Sequence, residues 1–339
     1  MRTISWSEAD GQIHLLDQTR LPLETVELVI DDHLQLIDAI KRLAIRGAPA
    51  LGVAGAFGVA LIAKNAERDS WSAASIDKAV DELRTARPTA VNLAWGVDQV
   101  RPLLKDGAAA VLKRALEMAA EDGRANRAMG SLGADHLIEL LAKSGKSGDF
   151  TILTHCNTGA LATTEWGTAL GMIQELNDRG KVREVFADET RPLLQGARLT
   201  AWELAQIGIP YRILPDGAAA SALFAGLIDA VAIGADRIAR NGDSANKIGS
   251  LAVAVAAHAV GVPFFVVAPE STVDRSLADG SQIEIEFRDD REMTEFAGVP
   301  TAPKGSRTYN PAFDVTPARY ITAVVTEKKV YRVSEGERL

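Results

Sequence analysis

The sequence predicts an α/β protein: a doubly wound parallel sheet in the C-terminal part, preceded by a smaller, mainly helical part that carries a short antiparallel sheet. Three observations lead there. From Phe150 onward, short apolar runs at 150–154, 183–187, 211–214, 230–233 and 262–267 alternate with segments long enough for crossover helices. Before Phe150 the apolar residues recur mostly at the helical period. Between the two patterns lies KSGKSGD at 143–149, seven polar, flexible residues that set the expected domains at 1–145 and 146–339.

In chain order, 13–16 and 26–30 read as short strands of the small N-terminal sheet. A helix is expected over 33–43 from Leu34, Ile37, Ile40 and Leu43. It ends at Arg46-Gly47-Ala48-Pro49, where proline suits the first turn of a new helix because its missing N–H costs nothing there. Gly52, Gly55 and Gly58 then put small residues on one helical face, which lets a neighbouring backbone approach. Helices over 75–86, 97–104 and 108–143 complete this part. No internal repeat or low-complexity segment is seen.

Composition narrows the function. The chain has 339 residues, 47% hydrophobic and 24% charged, and its formal net charge of −8 comes without any basic cluster. Nucleic acid and anionic membrane surfaces are therefore poor partners. A single cysteine rules out an internal disulfide, and the five histidines show no ligand spacing, so no metal is expected. The N-terminal ten residues lack the apolar run of a secretory signal, which makes the cytoplasm the expected location. Of two uncharged stretches, 47–63 is too short and glycine-rich for a membrane span, and 248–269 is broken by Gly261 and Pro263. The glycine run at Gly52 has the wrong spacing for a dinucleotide turn, and Gly145-Lys146-Ser147 lacks the upstream glycine of a P-loop, so no nucleotide cofactor is indicated.

Four constellations carry chemistry. Arg46-Gly47-Ala48 before a helix start offers a guanidinium and amides to one anion; the bland reading is a helix connection with a solvated arginine. Cys156 follows the strand 150–154 and opens the turn Asn157-Thr158-Gly159, at the carboxyl end where open parallel sheets bind ligands. A lone cysteine there also fits simple packing, and the neighbouring His155 fits either a base or a satisfied structural histidine. Asp188-Glu189-Thr190-Arg191-Pro192 ends another strand, with Gln195 placed to bond sugar hydroxyls; here the acids also suit a helix start. Asp236 follows the apolar strand 230–233, and Asn246 and Lys247 precede the next helix. A poorly solvated carboxyl there is suited to donating a proton, and Lys247 to meeting a phosphate.

The strings IRGAPALGVAGAFG, THCNTGALAT, DETRPLLQGARLTAWEL, GADRIARNGDSANKIGS and NPAFDVTP, in this order from about Ile45 to Val325, resemble the methylthioribose-1-phosphate isomerase family of methionine salvage. The same superfamily includes ribose-1,5-bisphosphate isomerases and the regulatory subunits of the translation initiation factor 2B complex. The resemblance implies a helical N-terminal domain with a small antiparallel sheet, a Rossmann-like C-terminal domain, a homodimer, and no metal or nucleotide cofactor. It implies substrate contacts from Arg46, Gly47, Ala48, Arg87 in RTARPTAVNLAWG, Gln195, Asn246 and Lys247. It makes Asp236 the proton donor and Cys156 the group that assists the transition state, and both are present here.

The implied chemistry fits those residue types. An aldose phosphorylated on its anomeric oxygen cannot show a free aldehyde, so an acid must open the ring before hydrogen moves from C2 to C1. Two departures bear on the sugar's 5-position: Thr164-Glu165-Trp166-Gly167, and Asp216-Gly217-Ala218-Ala219. Isomerisation of 5-deoxyribose 1-phosphate or ribose 1,5-bisphosphate, or a non-catalytic ligand-sensing subunit, are the competing readings.

Overall fold

The computed structural model describes residues 2–88 and 90–339; Met1 of the N-terminal stretch and Thr89 of RTARPTAVNLAWG lie outside the described residues. The chain divides into two compact units. The first comprises Met1–Ala128 and Thr158–Gly171, the second Met129–Asn157 and Met172–Leu339. The division therefore falls within a helix and not at the expected 145/146. The linker residues 144–149 are exposed, but the helix before them runs unbroken past the end of the first unit.

In the first unit, β1 (Ile4–Ser7), β2 (Gln12–Leu16) and β3 (Glu27–Ile30) form an antiparallel sheet in chain order. β1 extends the expected pair by one strand. Asp32 caps α1 (His33–Lys41) by accepting the Leu34 N–H at 2.7 Å, and Leu43, at φ 64°, stops the helix short of the expected 43. α2 (Ala48–Asp69) follows, then α3 (Ala73–Arg84), capped by Ser72. The expected helix 97–104 becomes α4 (Val91–Val100) and a tighter 3₁₀ turn, Arg101–Asp106, at whose start Pro102 removes a backbone donor. α5 (Ala108–Lys143) has the expected bounds.

α2 is the core of this unit, buried along most of its length. The glycine stripe works as the spacing suggests: a methyl on Gly96 of α4 would lie 1.9 Å from the Gly52 carbonyl oxygen, so the two backbones touch. Gly58 instead faces Leu36 and Leu83. At 22 residues α2 is long and apolar enough to cross a membrane, against the short span expected for 47–63, because the helix continues through Lys64 to Asp69. However, 83% of its most apolar stretch is buried within the protein, as a core helix should be.

In the second unit, β4 (Phe150–Thr154), α6 (Ala169–Asp178), β5 (Val182–Asp188), a π-helical turn (Gly196–Thr200) running into α7 (Ala201–Ile207), β6 (Tyr211–Leu214) and α8 (Ala219–Phe224) succeed one another. Then come β7 (Ala230–Ile233), β8 (Arg237–Ala239), β9 (Ser244–Lys247), α9 (Ser250–Ala259) and β10 (Phe264–Val267). β11 (Val273–Asp274), α10 (Arg291–Thr294), β12 (Glu295–Phe296), β13 (Val299–Pro300), β14 (Phe313–Thr316), β15 (Ala323–Val325) and β16 (Val330–Tyr331) finish the chain.

The main sheet has the order β16-β15-β10-β7-β4-β5-β6, parallel except for β16. All five expected strands lie in it. β4, β7 and β10 are fully buried, which explains their continuous apolar runs. From β4 the chain steps outward to β5 and β6, then returns to place β7 on the other side of β4. The β4/β7 boundary is thus the topological switch point, where successive connections leave for opposite sides and a crevice opens at the strand ends. A four-stranded sheet, β11-β8-β9-β14, adjoins the end of β7; it was not legible in the sequence.

Candidate active site

Cys156 lies two residues beyond β4, and Asp236 three residues beyond β7. These are the two strands that flank the switch point. Their register pairs Leu153 with Val231, so three further residues on each strand bring Cys156 level with Gly234, two before Asp236. Cys156 and Asp236 thus each follow the carboxyl end of one of two neighbouring strands of this unit.

The Cys156 turn is held from several sides. Cys156 is buried and takes a left-handed backbone, φ 64°, as does Thr190 at φ 63°. The Cys156 N–H donates to Thr190 Oγ1 at 2.9 Å, and the Cys156 carbonyl accepts from Thr200 Oγ1 at 2.6 Å. Thr200 is the last residue of the π-helical turn, a rare form frequently found at functional sites. Asn157 turns inward, donating from its amide to Glu203 at 2.5 Å, and so anchors the loop.

Two carboxylates fill backbone anion seats. Asp216 accepts the Thr190 and Arg191 N–H groups at 2.7 Å each. Asp314 accepts the Gly249 and Leu251 N–H groups at 2.8 and 3.1 Å, at the start of α9. The helix start beside Lys247, where the sequence suggested a phosphate, already holds an internal anion. Burial pushes the Asp314 carboxyl above its ordinary range, with the Gly249 and Leu251 amides acting in the other direction. The sequence names Asp216 only as a departure bearing on the sugar's 5-position and Asp314 only within NPAFDVTP, and it assigns neither the amides that the structure gives it.

The remaining candidates are placed as follows. Gln195, buried, opens the π-helical turn, and its side-chain carbonyl oxygen has no hydrogen-bond partner among the described residues. The Asn246 amide donates to Ser250 Oγ at 2.8 Å, and the Lys247 ammonium lies 4.6 Å from the centre of the Phe313 ring. The Asp236 N–H donates to the Ala245 carbonyl, tying the β7 end to β9. In the first unit, Gly47, which has no side chain to cap with, is the N-cap of α2 at φ 93°; Arg46 precedes it and Ala48 begins the helix. A methyl on Gly47 would lie 2.3 Å from the Ala162 carbonyl oxygen. Arg87, half-buried, lies between α3 and α4.

His155, Asp188 and Asp216 bring three ligand-type atoms within 4.8 Å of one another. Each has a hydrogen-bond partner, although Asp188 Oδ1 has none among the described residues. The Asp216 oxygens accept amides, and His155 contacts Asp188 through one ring nitrogen and the Ile248 carbonyl through the other.

An open parallel sheet with a thiol and a carboxyl just past its switch-point strands defines a Rossmann-like α/β protein, a class that binds ligands outside its strand ends. The chain belongs to the methylthioribose-1-phosphate isomerase family, within the initiation factor 2 subunit family, whose model matches residues 44–331. It is similar to a methylthioribose-1-phosphate isomerase of Heliobacterium modesticaldum, 48% identical with 98% of this chain and 96% of that one covered. A 5-deoxyribose 1-phosphate isomerase of Moorella thermoacetica is 49% identical, covering 97% and 93%. A probable bifunctional methylthioribose-1-phosphate isomerase/methylthioribulose-1-phosphate dehydratase of Nocardia farcinica is 53% identical over 97% of this chain, which spans 58% of that protein's length.

Among solved structures, the 5-methylthioribose 1-phosphate isomerase of Pyrococcus horikoshii superposes with a TM-score of 0.88 at 37% identity, covering 98% of this chain and 92% of that one. Subunit delta of the translation initiation factor eIF-2B of A. fulgidus gives 0.84 at 38%, covering 98% and 96%.

Proposed function

We propose that the protein is an aldose–ketose isomerase that converts 5-methylthioribose 1-phosphate to 5-methylthioribulose 1-phosphate in methionine salvage. The observation that supports this reading is that Cys156 and Asp236 follow the two strands on either side of the switch point. A purely sensing subunit has no need of a thiol and an acid there.

In this scheme Asp236 gives a proton to the ring oxygen, the bond from that oxygen to C1 breaks, and positive character develops at C1. The C2 hydrogen then reaches C1, either as a hydride or as a proton through an enol phosphate, with Cys156 assisting. The 2-hydroxyl proton leaves as C2 becomes the ketone, which restores the proton balance. The buried, apolar β4 and β7 favour the hydride path, since water would trap the cation.

Gln195, with its unpartnered carbonyl oxygen, suits a sugar hydroxyl. Arg46, Gly47, Ala48, Arg87, Asn246 and Lys247 are assigned to substrate contact. The lead of Arg46-Gly47-Ala48 into a helix with Pro49 in its first turn supports the phosphate assignment of these three, because the α9 start carries Asp314 instead. We assign the enzyme to the cytoplasm as a homodimer; Tyr211 and Ile213 on the edge strand β6 leave apolar surface that such an association can bury.

A second reading, isomerisation of 5-deoxyribose 1-phosphate, is favoured by the 49% identity to the Moorella thermoacetica enzyme of that name. The deciding experiment compares ketose formation by the purified protein from 5-methylthioribose 1-phosphate, 5-deoxyribose 1-phosphate and ribose 1,5-bisphosphate. Fastest turnover of the methylthio sugar is expected. No turnover of any of the three, with ligand-dependent stabilisation instead, would favour a sensing subunit.

A further inference from the structure

One buried titratable pair is left unused by the proposed chemistry. His155 and Asp188 have 1% and 0% exposure and sit at the ends of the adjacent strands β4 and β5. His155 Nδ1 lies 2.8 Å from Asp188 Oδ2, and His155 Nε2 lies 2.8 Å from the Ile248 carbonyl oxygen. A carbonyl oxygen only accepts, so Nε2 carries a proton. A second proton is shared between Nδ1 and the carboxyl. The pair therefore holds two protons and is neutral as a whole, which lowers the cost of its burial. No ring lone pair remains for substrate, and a general-base role for His155 is excluded.

We propose that His155 is a positioning residue, a two-ended clamp that sets the Cys156 turn against the end of β9, which bears Asn246 and Lys247; this rests on the isomerase reading. Through Nδ1 the ring holds the end of β5, where Thr190, two residues beyond Asp188, receives the Cys156 N–H. Through Nε2 it holds Ile248, the residue after Lys247. Gly249 completes the seat at φ 107°, since a methyl there would lie 2.7 Å from the ring's Cε1. Burial works against a charged ring, but the Asp188 contact outweighs it and keeps the proton on His155 above the usual histidine range. Burial also raises the Asp188 carboxyl, with His155 acting against that rise. The other acids acting on the pair are Asp216, Glu189 and Asp314.

Two variants separate the two ends of the clamp. His155→Asn places an amide nitrogen near the Nδ1 position and keeps the Asp188 bond; His155→Gln reaches the Nε2 position and keeps the Ile248 bond. In His155→Asn we expect KM to rise about tenfold, the weight of one hydrogen bond in binding, with kcat nearly unchanged. In His155→Gln we expect kcat to fall about a hundredfold with KM nearly unchanged, the scale of a misplaced reacting group. Independently of turnover, ¹⁵N-edited NMR of the wild type should show a slowly exchanging Nε2 proton and a strongly deshielded proton between Nδ1 and Asp188. Both variants keeping wild-type kcat and KM, or a missing Nε2 proton, overturns the clamp. Both proton signals present in a wild type that turns over none of the sugar phosphates overturns the isomerase reading instead, and with it any part for the clamp in catalysis.

Discussion

The backbone N–H of Cys156 donates to the side-chain oxygen of Thr190, and both residues hold left-handed backbone at φ 64° and 63°. Neither is glycine. Such conformations cost about 1–3 kcal/mol each and persist where surrounding structure fixes them. Thr190→Val keeps the shape but leaves the Cys156 amide without its buried acceptor. A loss of about 1–3 kcal/mol in denaturant unfolding is expected, together with lower turnover. Equal stability and equal turnover would show that the contact sets nothing.

Asp236→Asn removes the proposed acid and keeps the side-chain volume. Turnover should fall at least about a hundredfold, the lower range for a general acid, while the melting temperature stays close to wild type. Near-native turnover on methylthioribose 1-phosphate would sink the proton-donor role.

Cys156→Ser should lower kcat strongly with little change in KM. The left-handed turn is unaltered, so the two enzymes differ only at the sulfur position. An unchanged rate with a shifted melting temperature would make the thiol a packing group.

Asp216→Ala strips the acceptor from the Thr190 and Arg191 amides. Bonds to a charged group are worth about 1.5–3 kcal/mol each, so a stability loss on that order is expected. Because Thr190 shapes the Cys156 turn, kcat should fall as well. A stability loss with wild-type kcat would separate the two seats.

Glu270 gives a pH test away from the site. Burial raises its carboxyl, but Arg275, Thr326 and Tyr331 together outweigh that and hold it below its ordinary 4.5. A depressed carboxyl contributes stability that is fully present above the ordinary value and is lost as pH falls through the folded one. Glu270→Gln should therefore narrow its stability gap to wild type as pH drops below 4.5 in a denaturation series. A gap independent of pH would show that packing, and not charge, explains its effect.

Much of the sheet was legible because buried parallel strands leave continuous apolar runs, and 150–154 and 230–233 match in full; 211–214 matches too, although it is an exposed edge strand. The sequence also marked Cys156 and Asp236 as strand-end residues. It did not mark their supports. Thr190, Asp216 and Asp314 act on amides lying 25 to 65 positions away in the chain, and pairings at that range have no local pattern. β8 and β9 were missed for a similar reason, since their short runs mix polar and apolar residues. Where the sequence departs at Thr164 and Trp166, packing supplies a cause. Thr164 is gripped through both its N–H and its hydroxyl by the buried carboxyl of Asp122, and Arg127 stacks 4.3 Å over Trp166.

The segment Thr158–Gly171 belongs to the first unit although it is encoded after β4. Thr3 donates to its Ala160 and Thr164 carbonyls, Gln18 to its Leu161 carbonyl, and Asp122 holds Thr164. A gene cut at the polar linker would therefore yield an N-terminal fragment stripped of fourteen residues it needs for closure. The two units are spatially distinct but genetically interleaved, so shuffling or split-protein designs must carry that strap along with the N-terminal piece.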